Sequence, residues 1–484
     1  MHNNISIELL KTFSDEDVKQ FMDYVSCSLF NKRKEHIKLY SVIIKCKPEF
    51  TNPVLHREKL FNKLYPKSKY DEQTLRTRMT ELTALIRSYL AFTHQHKNLF
   101  LQKISQAKEL MSRNKYSMSE KILTNMLDDL ENEKYKNSNY FEYKYFAFTE
   151  LCKVYSATGN LKELLNTEIS RSEFLIYFFL EDFLNSSRDI LTNNVQNKTV
   201  KDSPVSNEFF KRFSLDNFLA MLKETKNEHY TIIAIYYYSY LTRKDNDNED
   251  YYFKLKEIVF SEYKKFSKKD LFNFWNFLSG AVFPALVNKD KKFYTERFLI
   301  NKFFSELGVF LTINNRYIHT QTFNNIANSA IIINELDWAE EFILKYKDAL
   351  LPESKENTFN YCMSALCTRK KEFERSLDHL SKIKMSELAY NLDSRLCYIV
   401  NYYELNLFDQ LYSSIDAFKH YFSENKNLPE YVIDMGKYSV KFVTKIANAK
   451  SRNIKIDYAD LKEAESVDSF FIRKWILEKM KELL

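Results

Sequence analysis

Nine histidines, six cysteines and several close carboxylates are the groups with which this chain could do chemistry. A metal-binding pair on a helix needs side chains three or four residues apart on one face. No His-x-x-x-His or His-Glu-x-x-His run occurs, and His94 and His96, two apart, fall on different faces of the helix expected there. Asp245, Asp247 and Glu249 alternate like the start of a calcium loop, but Asp250 stands where the sharp turn needs glycine and Lys256 where the last ligand should be glutamate. A solvated loop is the expectation. Glu340 and Glu341, beside Trp338, suit an exposed helix face better than an acid–base pair. Only four glycines are present, Gly159, Gly280, Gly308 and Gly436, and none belongs to a phosphate loop or nucleophile elbow. No catalytic residue, cofactor or metal site is expected.

Arginine and asparagine offer more than the acids do. The chain carries a net charge of +7, unevenly spread: residues 1–115 hold 21 Lys and Arg against 12 Asp and Glu, the remainder 51 against 53. A basic amino-terminal module joined to a near-neutral body follows, and such a module suits phosphate contacts.

Few breakers separate the elements that must position these groups. With four glycines and seven prolines, the apolar residues have to be carried by helices. Ser14 before an acidic turn, followed by Val18, Phe21, Met22 and Val25, predicts a capped amphipathic helix. Further helices are expected at about Lys34 to Lys45, His56 to Leu64 and Asp71 to Leu90, completing a module over residues 1–92. Helical patterns follow over 93–200 and 208–484. A polar connection is expected at Asn193 to Asn207 and a charged loop at Arg243 to Asp250.

Self-alignment gives a 35-residue register in which Trp338, Phe373 and Phe408 coincide, as do Phe342, Leu377 and Tyr412. Ala330, Ala365 and Val400 align upstream, and Ala327, Cys362 and Cys397 form a small-residue column. The three aromatic positions are expected to be buried equivalents, with turns near Asn334, Lys370 and Asn406. The period and small column over 322–420 resemble tetratricopeptide repeats, best in SALCTRKKEFERSLDHL and again in ELCKVYSATGNLKELLN. The arrangement as a whole is similar to large all-helical bacterial proteins. HREKLFNKLYPKSKYDEQTLRTRMTELTALIRSYL resembles the central helices of bacterial winged-helix modules, though helical sequence follows where a wing's hairpin would stand. That resemblance implies Arg76, Arg78 and Arg87 as the phosphate or base contacts.

The resemblance implies an all-α fold, an α-solenoid of stacked antiparallel helix pairs behind a small amino-terminal helical module. It also implies a concave surface lined by the first helix of each pair. Asn324, Asn328, Asn360 and Arg395 are the polar candidates there for a peptide backbone, with Asn325 and Asn357 beside them. A protein- or peptide-binding scaffold is the leading expectation, and a nucleic-acid-associated regulator using the basic module is the alternative. Sparse cysteines without a C-x-x-C pair read as buried thiols of a reducing cytosol. No leader pattern or membrane-length apolar run is read in the chain, so a soluble cytoplasmic protein is expected.

Overall fold

The computed structural model describes residues 4–135, 139–197, 204–287, 291–312, 316–384, 388–425 and 428–484. Among the described residues there are 24 α-helices and no strand; Ile318 and Leu350 share one isolated bridge. The all-α expectation holds. The chain divides into two compact units, Met1–Lys134 with Asn139–Phe178, and Phe179–Leu484 with Tyr135–Ser138.

The first unit holds α1 Ile5–Lys11, α2 Asp15–Ser26, α3 Lys34–Ile44, α4 Arg57–Leu64, α5 Glu72–Lys97, α6 Leu99–Ser112, α7 Tyr116–Asn132, α8 Tyr140–Thr158 and the first half of α9 Leu161–Asn197. The polar residues flanking each apolar run set these boundaries. Ser14 accepts from the Asp17 amide while the Asp17 carboxylate accepts from the Ser14 amide, so α2 starts with a complete capping box. Asp71 and Asn98 cap α5 and α6 by accepting from the second and third amides of each helix. Phe21, Tyr40, Leu82, Ile86 and Tyr89 close a core between α1 and α5. Where a wing would follow α5, the chain continues as α6.

The second unit continues α9 and adds α10 Pro204–Arg212, α11 Leu215–Glu224, α12 Tyr230–Lys244, α13 Glu249–Glu262, α14 Lys268–Val287, α15 Lys291–Glu306, α16 Thr320–Ile333, α17 Leu336–Tyr346, α18 Lys355–Lys370, α19 Phe373–Ser381, α20 Leu388–Glu404, α21 Phe408–Glu424, α22 Glu430–Ser451, α23 Tyr458–Ser466 and α24 Arg473–Glu482. Successive helices pack on each other, and α12 also meets α14, α16 meets α18, and α18 meets α20. Of the polar connection expected at 193–207, residues 198–203 lie outside the described residues.

Left-handed residues explain how so many helices are joined with so little glycine. Asn114, Gly159, Lys226, Gly308, Asn334, Lys371, Asn406 and Asn453 all have φ between 51° and 72°. In each case the next amide reaches back to a helix carbonyl, as Glu335 to Ala330 at 3.0 Å, Glu372 to Cys367 at 2.9 Å and Leu407 to Tyr402 at 2.9 Å. This closure satisfies carbonyls that a helix end leaves open, and asparagine tolerates the conformation best after glycine.

Counting from these turns gives the true register of the helix pairs. Seven residues before the turn, Ala327, Ser364 and Ile399 are buried; five residues after it, so are Ala339, Ser376 and Leu411. Phe373 and Phe408 follow their turns by two residues, but Trp338 follows Asn334 by four. The uniform 35-residue register therefore slips by two at the first pair, and all three aromatic side chains are half-buried, correcting the expectation of full burial. The Ser376 hydroxyl donates to the Ser364 carbonyl at 2.9 Å, and in the first unit Ser119 donates to the Ala107 carbonyl at 3.0 Å from the same positions relative to Asn114. One rule of helix pairing thus operates in both units.

Candidate functional site

Helix α5 presents one exposed face on which Arg76, Thr80, Ala84 and Arg87 succeed one another. Eleven residues of helix separate the two arginines by roughly 16 Å along the axis. Helix α1 lies beside this face, with Ser6 Oγ 3.2 Å from the Met79 carbonyl and 2.5 Å from Thr83 Oγ1. Between them opens a groove of about 1000 Å³, into which Arg57 from the start of α4 also projects. Arg57 is ion-paired with Glu72, whereas Arg76 and Arg87 have no side-chain partner among the described residues. Two free guanidinium groups and one paired one make an open, basic groove suited to an extended polyanion.

Arg78 is not part of it. Its position, two residues from Arg76, turns it to another face, where Nε donates to the Tyr65 hydroxyl at 3.2 Å and the guanidinium pairs with Glu81. His36 Nε2 meets the same carboxylate at 2.8 Å, and Asn31 holds the other ring nitrogen at 2.9 Å. Burial alone would raise Glu81, but the bonds from Arg78 and His36 outweigh it and hold the carboxyl below its ordinary value. Arg78 thus ties α5 to the end of α4, while Glu81 ties it to α3 through His36, and the Arg78 side chain lies off the groove. Arg57 was missed in the sequence, although a basic residue opening the helix before a basic helix was the available signal.

The asparagines of the second unit are mostly occupied. Asn360 is buried, with Oδ1 2.8 Å from His379 Nδ1 and Nδ2 donating to the Glu356 carbonyl at 2.8 Å, so it serves packing and not a surface. Asn357 is buried as well and accepts from the Lys384 amide at 2.9 Å. Half-buried Asn324 accepts from Cys362 Sγ at 3.2 Å, and half-buried Asn328 bonds the Tyr361 hydroxyl. Arg395 lies 5.4 Å from the Tyr421 ring and donates to the Ala417 carbonyl at 3.2 Å. Helix–helix contact, which a sequence pattern cannot distinguish from an open face, takes up most of these polar groups.

His94 and His96 are both exposed, and no group of three or more potential ligands assembles among the described residues. Glu340 is spent on Lys370 at 2.5 Å. Cys27 is exposed, correcting the reading of all six thiols as buried; Cys46, Cys152, Cys362 and Cys367 are buried. No helix among the described residues is long and apolar enough to cross a membrane. On α9, Leu161, Leu165 and Ile169 are 68%, 66% and 61% exposed, an aliphatic stripe at four-residue spacing. No family model, curated protein or solved structure matches the chain.

Proposed function

We propose that the chain is a scaffold of stacked helix pairs, tetratricopeptide-like in its pairing, that binds a protein or peptide partner. The stripe on α9 carries this reading. Three large aliphatic side chains more than 60% exposed at i, i+4 and i+8 form the seam that an amphipathic helix of a partner would cover. Contacts between next-but-one helices support the solenoid, since stacked pairs bury the faces that a lone pair leaves open. The reading assigns no catalysis, and the unpaired thiols fit a reducing cytoplasm.

Changing Leu165 to Glu in the full chain should abolish recovery of the partner in a tagged pull-down with nuclease present, while the melting temperature stays within a degree or two. Unchanged recovery from the variant would remove α9 as the binding surface. The second reading, a nucleic-acid contact through Arg57, Arg76 and Arg87, rests on the groove beside α5. Titration with duplex DNA or RNA decides it: affinity falling steeply with salt and lost in an Arg76→Glu, Arg87→Glu double variant supports it. Weak, variant-insensitive binding at low salt leaves the scaffold reading alone.

A further inference from the structure

Two partly buried arginines of the second unit share a single nearby carboxylate. Arg188, on α9, has 13% of its side chain exposed, and its guanidinium carbon sits 3.8 Å from the centre of the Phe277 ring on α14. Asp189 accepts from Nη2 at 2.5 Å and from Nε at 3.3 Å. Nη1 is buried and has no hydrogen-bond partner among the described residues. Arg243, in the last turn of α12, approaches Gly280 so closely that a β-carbon there would lie 2.1 Å from its Nη2.

Phe277 and Gly280 are three residues apart on α14 and share one face. The guanidinium groups packed against the Phe277 ring and Gly280 feel each other's charge. The Arg243 side chain makes no hydrogen bond or ion pair among the described residues; Arg188 repels it and Asp189 attracts it. Burial, and after it the Arg188 charge, push the Arg243 guanidinium down from its ordinary value. Glu181 lies seven residues before Arg188 and is bonded to the Tyr236 hydroxyl. Asp270 lies seven residues before Phe277 and is bonded to Ser267. Seven helical residues put each of these carboxylates roughly 10 Å down the axis from the arginine layer.

Two partly buried like charges sharing one half-exposed acid leave a buried donor atom unsatisfied and an excess positive charge, which an anion would complete. We propose that Arg188 and Arg243 form a receptor for a small oxyanion of the phosphate class, inorganic phosphate or a phosphate monoester, held between α9, α12 and α14. Guanidinium forks match phosphate in geometry, and its several oxygens can serve two forks at once. Gly280 has a role in the site: any side chain there would displace the Arg243 fork.

Thermal unfolding of the full chain in inorganic phosphate, against chloride at equal ionic strength, tests the site. Phosphate at saturating concentration is expected to raise the melting temperature by about 2 °C or more. Arg243→Met should lose that response and, relieved of the repulsion, melt no lower than the parent in phosphate-free buffer. Gly280→Ala, which favours the helix but occupies the place of the guanidinium, should also lose it. Should Arg243→Met fail to fold, Gly280→Ala and calorimetric titration of the parent with phosphate carry the test. Equal melting in phosphate and chloride, or a response retained by a folded variant, overturns the proposal.

Discussion

Phe13–Phe21 of the first unit reads FSDEDVKQF and Phe266–Phe274 of the second reads FSKKDLFNF, and both open a helix. Ser14 Oγ donates to Asp17 at 2.6 Å and accepts from its amide at 3.0 Å; Ser267 and Asp270 do the same at 2.6 Å and 3.2 Å. Phe13 meets Phe21 edge-to-face at 5.7 Å, and Phe266 meets Phe274 edge-to-face at 4.9 Å. The carboxylates nevertheless move in opposite directions. The Ser14 bonds hold Asp17 below its ordinary value, whereas burial pushes Asp270 above it despite the Ser267 bonds. The Ser bonds are the same in both, and the deeper burial of Asp270 is the main difference behind the opposite sign, with Tyr89 and Lys97 adding to the lowering of Asp17. The neighbours differ in the same sense: Asp15 and Glu16 complement the α2 dipole, and Lys269 supplies counter-charge where Asp270 is buried.

Emptying the aromatic side of the two helix starts should have the largest effect. Phe21→Ala and Phe274→Ala are each expected to cost about 3–5 kcal/mol in denaturant unfolding, because both rings are fully buried. A loss below about 1 kcal/mol at either would break the equivalence. Ser267→Ala should cost about 2 kcal/mol, since it leaves a buried carboxylate short of bonds, and Ser14→Ala about 1 kcal/mol, an ordinary lost cap.

The pH dependence sharpens the contrast. Asp17 has a depressed folded value, so its contribution is present above about pH 3.8 and is lost as pH falls through that depressed value. Asp17→Asn should therefore be about 1 kcal/mol less stable than the parent at neutral pH and equal to it in strong acid. Asp270 has a raised folded value, so its ionisation opposes folding at neutral pH and the penalty fades as pH drops through that value. Asp270→Asn should accordingly be the more stable form at neutral pH, with a shrinking advantage on acidification, as unfolding curves from pH 7 to pH 3 would record. The smallest effect belongs to Lys269→Ala, which should raise Asp270 further at a cost of about 0.3 kcal/mol.

Periodicity and caps made the helices legible. Ser14 was readable as a cap because an acidic turn and a helical apolar pattern follow it, and Arg76 and Arg87 because they stand in a basic stretch. Burial was not legible. Nothing in FSKKD says that its aspartate is closed in, and nothing near Arg188 or Arg243 says that distant stretches of chain bring them onto one helix. Gly280, alone inside a long apolar helix, was the available signal of a close approach. The register slip at Trp338 escaped because self-alignment rewards matching aromatic residues, whereas the turn residue fixes the phase. Asn360 looked like a surface residue because polarity in sequence does not distinguish solvent from a neighbouring helix.

Each left-handed turn joins helices adjacent in sequence, so much of the packing between paired helices is of low contact order. Such chains nucleate quickly and at many points, and they also open piecemeal. Lysine at Lys226 and Lys371 occupies a backbone region that disfavours a β-carbon by roughly 1–2 kcal/mol per residue. Hydrogen exchange should therefore find the helix ends beside these two turns protected for less time than those beside Gly159, where the same shape costs the residue nothing.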